Sequence, residues 1–385
     1  MMAMRILICN AGSTSLKFKL YDFPSERKIA WGRIERVGSA DASSYYYSDE
    51  AGREIRDDQT PVPTYERGIE RFLTDLGGVE NVDAVGFKAT ISRGYPGVHI
   101  IDEKVIQGMR DDLAIAPVHN RAYLGAIEAF RRVAPGAVPV AAFETAFHRT
   151  VPMHRRVYGV PYEWYEKYGV IRMGYHGASH SYIAARLKGY SRVVSCHLGG
   201  SSSVCAIRDG KSVDTSFGLS LQAGVTHVNR AGDVDAYILP YLLSKGVPYD
   251  EIIRGLDKNG GLGGISGLSG DMRDLRRAAR AGNERARLAI DVFVSDVTRY
   301  IGAFAAEMGG IDALSFTAGI GENDAETREE ICSTLEFLGI RLDPERNAAN
   351  LERIDANGAR VPVYVIPADE EIVVARQTYG EVSKA

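Results

Sequence analysis

The sequence predicts an α/β protein of two domains, on three observations. The chain is 385 residues long, more than a single hydrophobic core usually grows to. Short apolar runs of strand character alternate with helical periodicity, as in sheets buried under helices. One pattern also occurs twice. Leu7, Ile8, Cys9, Asn10, Ala11 and Gly12 give an apolar strand, a polar residue and a glycine, and Val194, Ser195, Cys196, His197, Leu198 and Gly199 repeat that order. We read this as duplication of one αβ unit, the alternative being a chance match of short segments.

In the first half, residues 5–9 form an apolar run, 10–15 are small and polar, 16–22 return as a strand and 29–36 make a third. Residues 64–76 set Ile69, Phe72, Leu73 and Leu76 on one helical face. Residues 82–87 and 138–143 read as buried strands, with a helix over 122–133 before the second. In the second half, strands over 192–196 and 204–207 flank the polar stretch 197–203, and Asp209 with Gly210 makes a two-residue hairpin turn. A long helix over 284–308 is expected to bury Leu288, Val292, Val297, Ile301 and Phe304. A strand over 313–316, a glycine turn over 319–323 and a strand over 361–366 follow. A terminal helix over 370–379 opens on two carboxylates, which suit its positive end.

Composition narrows the class. Apolar residues are 45% and charged residues 25%, a globular balance, and the net charge of −4 gives no reason to expect nucleic acid or a membrane surface as partner. Cys9, Cys196, Cys205 and Cys332 form no CxxC pair and three of them sit in apolar runs, the usage of a reducing compartment. No cleavable signal peptide and no membrane span are expected, so the cytoplasm is the expected location.

The chemistry concentrates in glycine-rich turns. Asn10 to Lys17 (NAGSTSLK) sets a glycine and three hydroxyls between two strands, which offers N–H and O–H donors to phosphate. Alone it reads better as an ordinary hairpin turn, and the second copy at residues 197–203 shifts that balance. Residues 260–271 hold so many glycines that a backbone approaching something closely explains them better than a flexible lid. Gly319, Ile320, Gly321, Glu322 and Asn323 follow an apolar strand like a nucleotide-contacting loop, but Asp324 excludes the dinucleotide fingerprint. Gly210, Lys211 and Ser212 look like the end of a P-loop, yet Cys205 stands where its first glycine belongs, so they read as a turn. His176 and His180 have metal-ligand spacing, but no third ligand is near and a structural pair is the stronger reading. Glu144, His148, His119 and Arg230 each read, taken singly, as structural or surface residues.

Together these segments resemble the acetate kinase family almost end to end. The resemblance rests on ILICNAGSTSLKFKLYD (6–22), APVHN (116–120), FETAFH (143–148), YGVIRMGYHGASH (168–180), CHLGGSSSVCAIRDGKSVDTS (196–216), NRAGDVD (229–235), GISGLSGDMRDL (264–275), FTAGIGEN (316–323) and VIPADEEIVVAR (365–376), in the family's order. It implies the duplicated actin-like, ribonuclease H-like fold with two domains closing on a cleft, here 1–146 with 369–385, and 147–368. It also implies reversible transfer of a phosphoryl group between ATP and a small carboxylic acid to give an acyl phosphate and ADP, with Mg²⁺ or Mn²⁺, in a cytoplasmic homodimer.

By the same resemblance, Asn10 and Glu370 hold the metal, and Lys17 with His197, Leu198, Gly199, Gly200 and Ser201 contacts phosphate. Asp271, Met272 and Arg273, with Gly319, Ile320, Gly321, Glu322 and Asn323, form the adenosine side. His176 and Arg230 stabilise the transferring phosphoryl, and Glu144 stands where the family has an aspartate beside the reacting carboxylate. Lys88, His119, Thr90, Val118, Tyr175 and Leu221 map to the carboxylic-acid site.

Departures cluster at that acid site. The family has an arginine followed by a Val-Val-His-Gly-Gly run, where this chain has Lys88, Ala89, Thr90, Ile91, Ser92, Arg93 and Gly94. Lysine keeps the charge but cannot grip a carboxylate bidentately. Arg93 and Arg121 are candidates to compensate. Gly200 and Ser201 replace an Asn-Gly pair, and Gln222 and His227 bring polarity close to Leu221 in sequence. We therefore expect an acid other than acetate, larger or with a second polar group. The alternatives are a nucleotide binder without transfer activity and a pyrophosphate-dependent carboxylate kinase.

Overall fold

Four consecutive residues of the first strand, Ile6 to Cys9, are fully buried, so that strand must lie at the centre of a sheet with both faces covered. The computed structural model describes residues 3–39 and 41–384. They form two compact units, residues 1–146 with 369–385, and 147–368.

In the first unit, β1 (Met4–Gly12), β2 (Ser15–Phe23), β3 (Arg27–Glu35), β4 (Ser44–Asp49) and β5 (Glu54–Asp57) run as an antiparallel meander. On the other side of β1 lie β6 (Ala84–Phe87) and β8 (Val138–Ala142), both parallel, and β7 (Val98–Ile100), antiparallel to β8. The sheet order is β5-β4-β3-β2-β1-β6-β8-β7. One face is covered by the helices Tyr65–Asp75 and Pro117–Val133, which bring Phe72 and Phe130 onto Phe18, the first pair stacked at 4.5 Å. The side chain of Thr64 caps the first helix by accepting from Arg67 N, and Pro117 opens the second at its first turn. The helix Glu370–Val382 packs so closely on the opposite face that a Cβ at Gly86 would meet Thr378 Oγ1 at 2.3 Å.

The second unit repeats the plan with β9 (Arg192–His197), β10 (Ser203–Arg208), β11 (Lys211–Thr215), β12 (Ala313–Thr317) and β13 (Val363–Val365) in the order β11-β10-β9-β12-β13. The first three are antiparallel, and β12 and β13 are parallel to β9. Three antiparallel strands followed by two parallel ones, with β1 and β9 equivalent, is the duplication read from the sequence, and the fold is the expected α/β class.

Details differ from expectation. β4, β5, β7 and the helix Glu103–Asp111 were not foreseen. The polar stretch after Cys9 is strand almost throughout, with only Ser13 and Thr14 turning. The segment 319–323 is helical, within Ala318–Asn323, not an open turn. The helix Glu284–Met308 has the expected limits, capped by Asn283 and ended by Gly309 at φ 68°, but it buries Ala286, Ile290, Phe293, Val297, Ile301 and Phe304. Leu288 is 53% exposed, so the N-terminal half of its stripe lies a residue or two away from the expected one.

Candidate active site

In the first unit, chemistry gathers where β1, β6 and β8 end. Asn10 lies two residues before the end of β1, Lys88 follows β6, Glu144 follows β8, and Glu370 opens the last helix. The carboxyl ends of parallel strands are where open α/β sheets bind ligands. Lys88 Nζ lies 3.0 Å from Glu144 Oε1 and also contacts Glu370 Oε2. Burial alone would lower the lysine pKa, but Glu144 and Glu370 outweigh it and hold the ammonium charged. Tyr123, on the helix Pro117–Val133, donates its hydroxyl to Asn10 Oδ1 at 2.7 Å. Two carboxylates against one ammonium leave this cluster a net negative charge, and every donor is a hard oxygen. One or two carboxylates plus phosphate oxygens and water is the magnesium pattern, so Asn10 and Glu370 fit such an ion.

Around that cluster, Thr90 is buried, whereas Val118 and His119 are exposed on the first turn of their helix. Arg93 is bound to Asp112 at 2.9 Å, so its charge pins residues 88–94 to the helix Glu103–Asp111 and is spent there. Lys17 is exposed, opposite Arg33 across β2 and β3. It lines a cavity of 190 Å³ with Lys19, Trp31 and Glu371.

In the second unit, the turn after β9 and the segment after β12 are bound to each other. Leu198 N donates to Thr317 O, and Ile320 N and Gly321 N both donate to Leu198 O. The Ser202 hydroxyl closes the first turn, accepting from Gly199 N and donating to Gly199 O. The turn after β9 and the helix Ala318–Asn323 wall a cavity of 720 Å³. Gly199, Gly200, Asp271, Met272, Arg273, Gly319, Ile320 and Asn323 all line it, joined by Val228, Gly270, Arg276, Arg280, Asp324 and Glu326. Ser201 Oγ is buried and has no hydrogen-bond partner among the described residues. Leu198, Gly321 and Glu322 are not among the lining residues. Leu198 is core, Gly321 O accepts from Arg328, and the Glu322 carboxylate accepts from Ala318 N and Ala368 N at 2.7 and 3.0 Å.

His176 sits at the start of the helix Gly177–Arg186 with φ 57°, a left-handed conformation rare for a side chain of this size. His197 lies against it with ring centroids 4.0 Å apart, and Phe217 meets it edge-on at 5.1 Å. Phe217 in turn stacks on His227 at 5.4 Å. Burial, then the charge of Arg230, push His227 down to about 3. His227 is thus neutral. It accepts from Ser202 N at Nδ1 and bonds Ala223 O through Nε2, tying the β9–β10 turn to the segment that carries Arg230. Arg230 donates to Leu221 O at 2.9 Å. The glycines of 260–270 approach this same segment: a Cβ at Gly261 would lie 2.2 Å from His227 O.

The model of the Acetokinase family matches residues 5–376. The chain belongs to the acetokinase family. It is 39% identical to an acetate kinase of Shouchella clausii, the alignment covering 97% of this chain and 98% of that one, and 40% identical to an acetate kinase of Treponema denticola over 97% and 99%. Among solved structures, the acetate kinase of Porphyromonas gingivalis superposes with a TM-score of 0.87 at 33% identity, covering 98% and 100% of the two chains. A propionate kinase of Francisella tularensis does so at 0.90 and 31%, covering 98% and 99%.

Within this acetokinase, two residues expected to add polarity to the acid site serve the scaffold instead. Gln222 donates to Asp257 at 2.5 Å, and His227 is committed as described. The Tyr175 hydroxyl likewise donates to Leu219 O at 2.7 Å, and Leu221 contributes its carbonyl to Arg230. His176 and His180 share Ser203, at 2.9 and 2.8 Å. Tyr123 and Ser203 went unnoticed in the sequence, where a lone tyrosine on a helix and one serine of three carry no distinguishing signal.

Proposed function

We propose that this acetokinase transfers the γ-phosphoryl of ATP to a short-chain carboxylic acid, reversibly, giving an acyl phosphate and ADP. The observation that carries the reading is the cavity walled by the glycine turn after β9 and the helix Ala318–Asn323, sized for a nucleotide and edged by Arg273, Arg276 and Arg280. The size of this cavity and the family membership favour ATP over pyrophosphate as donor, and catalysis over binding alone.

The reaction makes one bond and breaks one. A carboxylate oxygen attacks the γ-phosphorus while the bond to the β–γ bridging oxygen breaks and ADP takes the electron pair. The acid is ionised at neutral pH, so no general base is needed and the protein's task is positioning and positive charge. In this reading Gly199, Gly200 and Ser201 bind phosphate oxygens, the Ser201 hydroxyl being buried without another partner among the described residues, and Lys17 of the first unit is a further phosphate-binding group. Asp271, Met272, Arg273, Gly319, Ile320 and Asn323 cradle the adenosine. His176 and Arg230 offer N–H donors to the transferring group. Asn10 and Glu370 would hold Mg²⁺, which supplies charge neutralisation at the phosphates. Lys88, kept charged by Glu144, orients the acid with help from His119.

The acid itself is the finer part of the proposal. Lys88 is a point charge already shared by two carboxylates, and it lacks the fork that grips a carboxylate in plane. With Thr90 buried beside it in sequence, this favours an acid other than acetate. A second copy of the chain as partner is supported by apolar side chains left exposed at Tyr237, Tyr241 and Tyr249. Four buried free cysteines suit the cytoplasm. The test is acyl-hydroxamate formation with Mg-ATP across acetate, propionate, butyrate, hydroxy and dicarboxylic acids, repeated with Lys88→Arg. The wild type should favour one of the larger acids, and Lys88→Arg should move the preference toward acetate. A clear wild-type preference for acetate overturns the acid assignment, and no product from any acid overturns the kinase.

A further inference from the structure

Behind His176 runs a line of three hydrogen bonds, the two farther from it buried. Ser195 Oγ lies 2.9 Å from His180 Nδ1, His180 Nε2 lies 2.8 Å from Ser203 Oγ, and Ser203 Oγ lies 2.9 Å from His176 Nδ1. Ser195, His180 and Ser203 are all fully buried. We propose that Ser195, Ser203 and His180 are positioning residues whose hydrogen-bond relay holds His176 in one tautomer, with its proton on Nε2. The proposal rests on the reading of His176 as a group that meets the transferring phosphoryl.

The argument is a count of hydrogens. A neutral imidazole has one N–H and one bare nitrogen, and a serine hydroxyl has a single hydrogen. Ser203 touches two histidines, and if both donated to it its own hydrogen would have no acceptor among the described residues, so it donates to one and accepts from the other. The relay therefore runs in one of two directions. Running toward His176, Ser195 donates to His180 Nδ1, His180 Nε2–H donates to Ser203, and Ser203 donates to His176 Nδ1. Every hydrogen in the line is then used, and the His176 proton is left on Nε2. Running the other way, His180 donates to Ser195, whose own hydrogen has no acceptor among the described residues. A buried donor without a partner is costly, so the first direction wins.

Charge would break this count, and the surroundings oppose charge. Burial first, and then His148 and His197, keep His180 far below its ordinary range. His176 heads the helix Gly177–Arg186, whose positive pole disfavours an imidazolium. The rings packed around His176 include other imidazoles: His180 on its own helix and His197 from β9, with His148 behind His180 and His227 across Phe217. A fixed Nε2–H is a ready donor for a phosphoryl oxygen. The left-handed backbone at His176 supplies the aim, and the relay supplies the proton.

Long-range ¹H–¹⁵N spectra of the whole protein read histidine tautomers directly and do not depend on turnover. The wild type should show His176 as the Nε2–H form. Ser203→Ala should give a mixture of both tautomers, with kcat down about tenfold and the KM values little changed, the mark of a lost oriented donor. Ser195→Ala should mix the tautomers of His176 across three hydrogen bonds, a change that packing alone would not produce. It also covers the case in which Ser203→Ala fails to fold. An Nδ1–H form in the wild type, or an unchanged tautomer in Ser195→Ala, overturns the relay. Full activity in His176→Ala would instead overturn the catalytic reading of His176 while leaving the relay intact.

Discussion

Glu307, near the end of the helix Glu284–Met308, has a carboxyl that burial, with Asp214 as neighbour, pushes up to about 7 against the pull of Arg155 at 3.5 Å. An unfolded glutamate titrates at the ordinary value of 4.5, so between these two pH values the folded chain holds a proton that the unfolded chain has released. Stability from this group is therefore complete below pH 4.5 and is lost as pH rises through 7. Glu307 is a third exposed, so solvent screening limits the effect to on the order of 1 kcal/mol, a few degrees of Tm. Glu307→Gln, which keeps an N–H for Asp214, should flatten the fall in Tm between pH 5 and 8. A wild-type Tm that climbs over that range would contradict the assignment. Glu307 was invisible in the sequence, because its neighbour lies on β11, far away along the chain. Asn10, Glu144 and Glu370 were legible because each lies within a segment that resembles the family, and Lys88 because it departs from one. The ion pairs of Lys88 with Glu144 and Glu370 were not, since they depend on where two strands and a helix end in space.

The glycine-rich segment 260–271 shows what sequence can and cannot say about an element. Excess glycine was read as close approach of backbone, and that is what the fold contains: the short helix Gly261–Ser266 lies against residues 227–230. What it approaches is the chain's own segment bearing Arg230, a long-range contact that no local pattern encodes. Gly261 has φ +63°, and a Cβ there would meet His227 O at 2.2 Å and the Arg230 backbone at 2.8 Å. Gly261→Ala should cost about 2–4 kcal/mol from the left-handed conformation and the clash together. It should also lower kcat by displacing Arg230. Gly255→Ala, in the helix Tyr249–Asp257 with open space around its Cβ, should instead be neutral or stabilise by about 0.5–1 kcal/mol. Urea denaturation and initial rates of both variants check this, and equal behaviour of the two would defeat the close-packing argument. The same contrast explains the misplaced stripe of the helix Glu284–Met308. Leu288 and Val292 fit a helical period as well as Ile290 and Phe293 do, and only the sheet beneath decides which pair is buried.

At the scale of the whole molecule, the second unit leaves an apolar face without cover. Tyr237 is 79% exposed, Tyr241 61% and Tyr249 56%, and Ile238, Leu243 and Ile253 are exposed beside them in sequence on the helices Ile238–Ser244 and Tyr249–Asp257. Single exposed apolar side chains are ordinary, but six within a stretch of 17 residues, three of them tyrosines, is the composition of an interface. The opposite faces of both helices do little to anchor them, since Ile252 is the one fully buried residue the two contain. In the dimer proposed above, a second copy would offer the same face by two-fold symmetry and cover these helices. Light scattering at micromolar concentration should give twice the chain's 42.0 kDa. Tyr237→Asp with Tyr241→Asp, which places two charges in the contact, should give the single-chain mass and a Tm that no longer rises with protein concentration. If the wild type already has the single-chain mass, or the double variant keeps the doubled mass, this face is not the dimer contact.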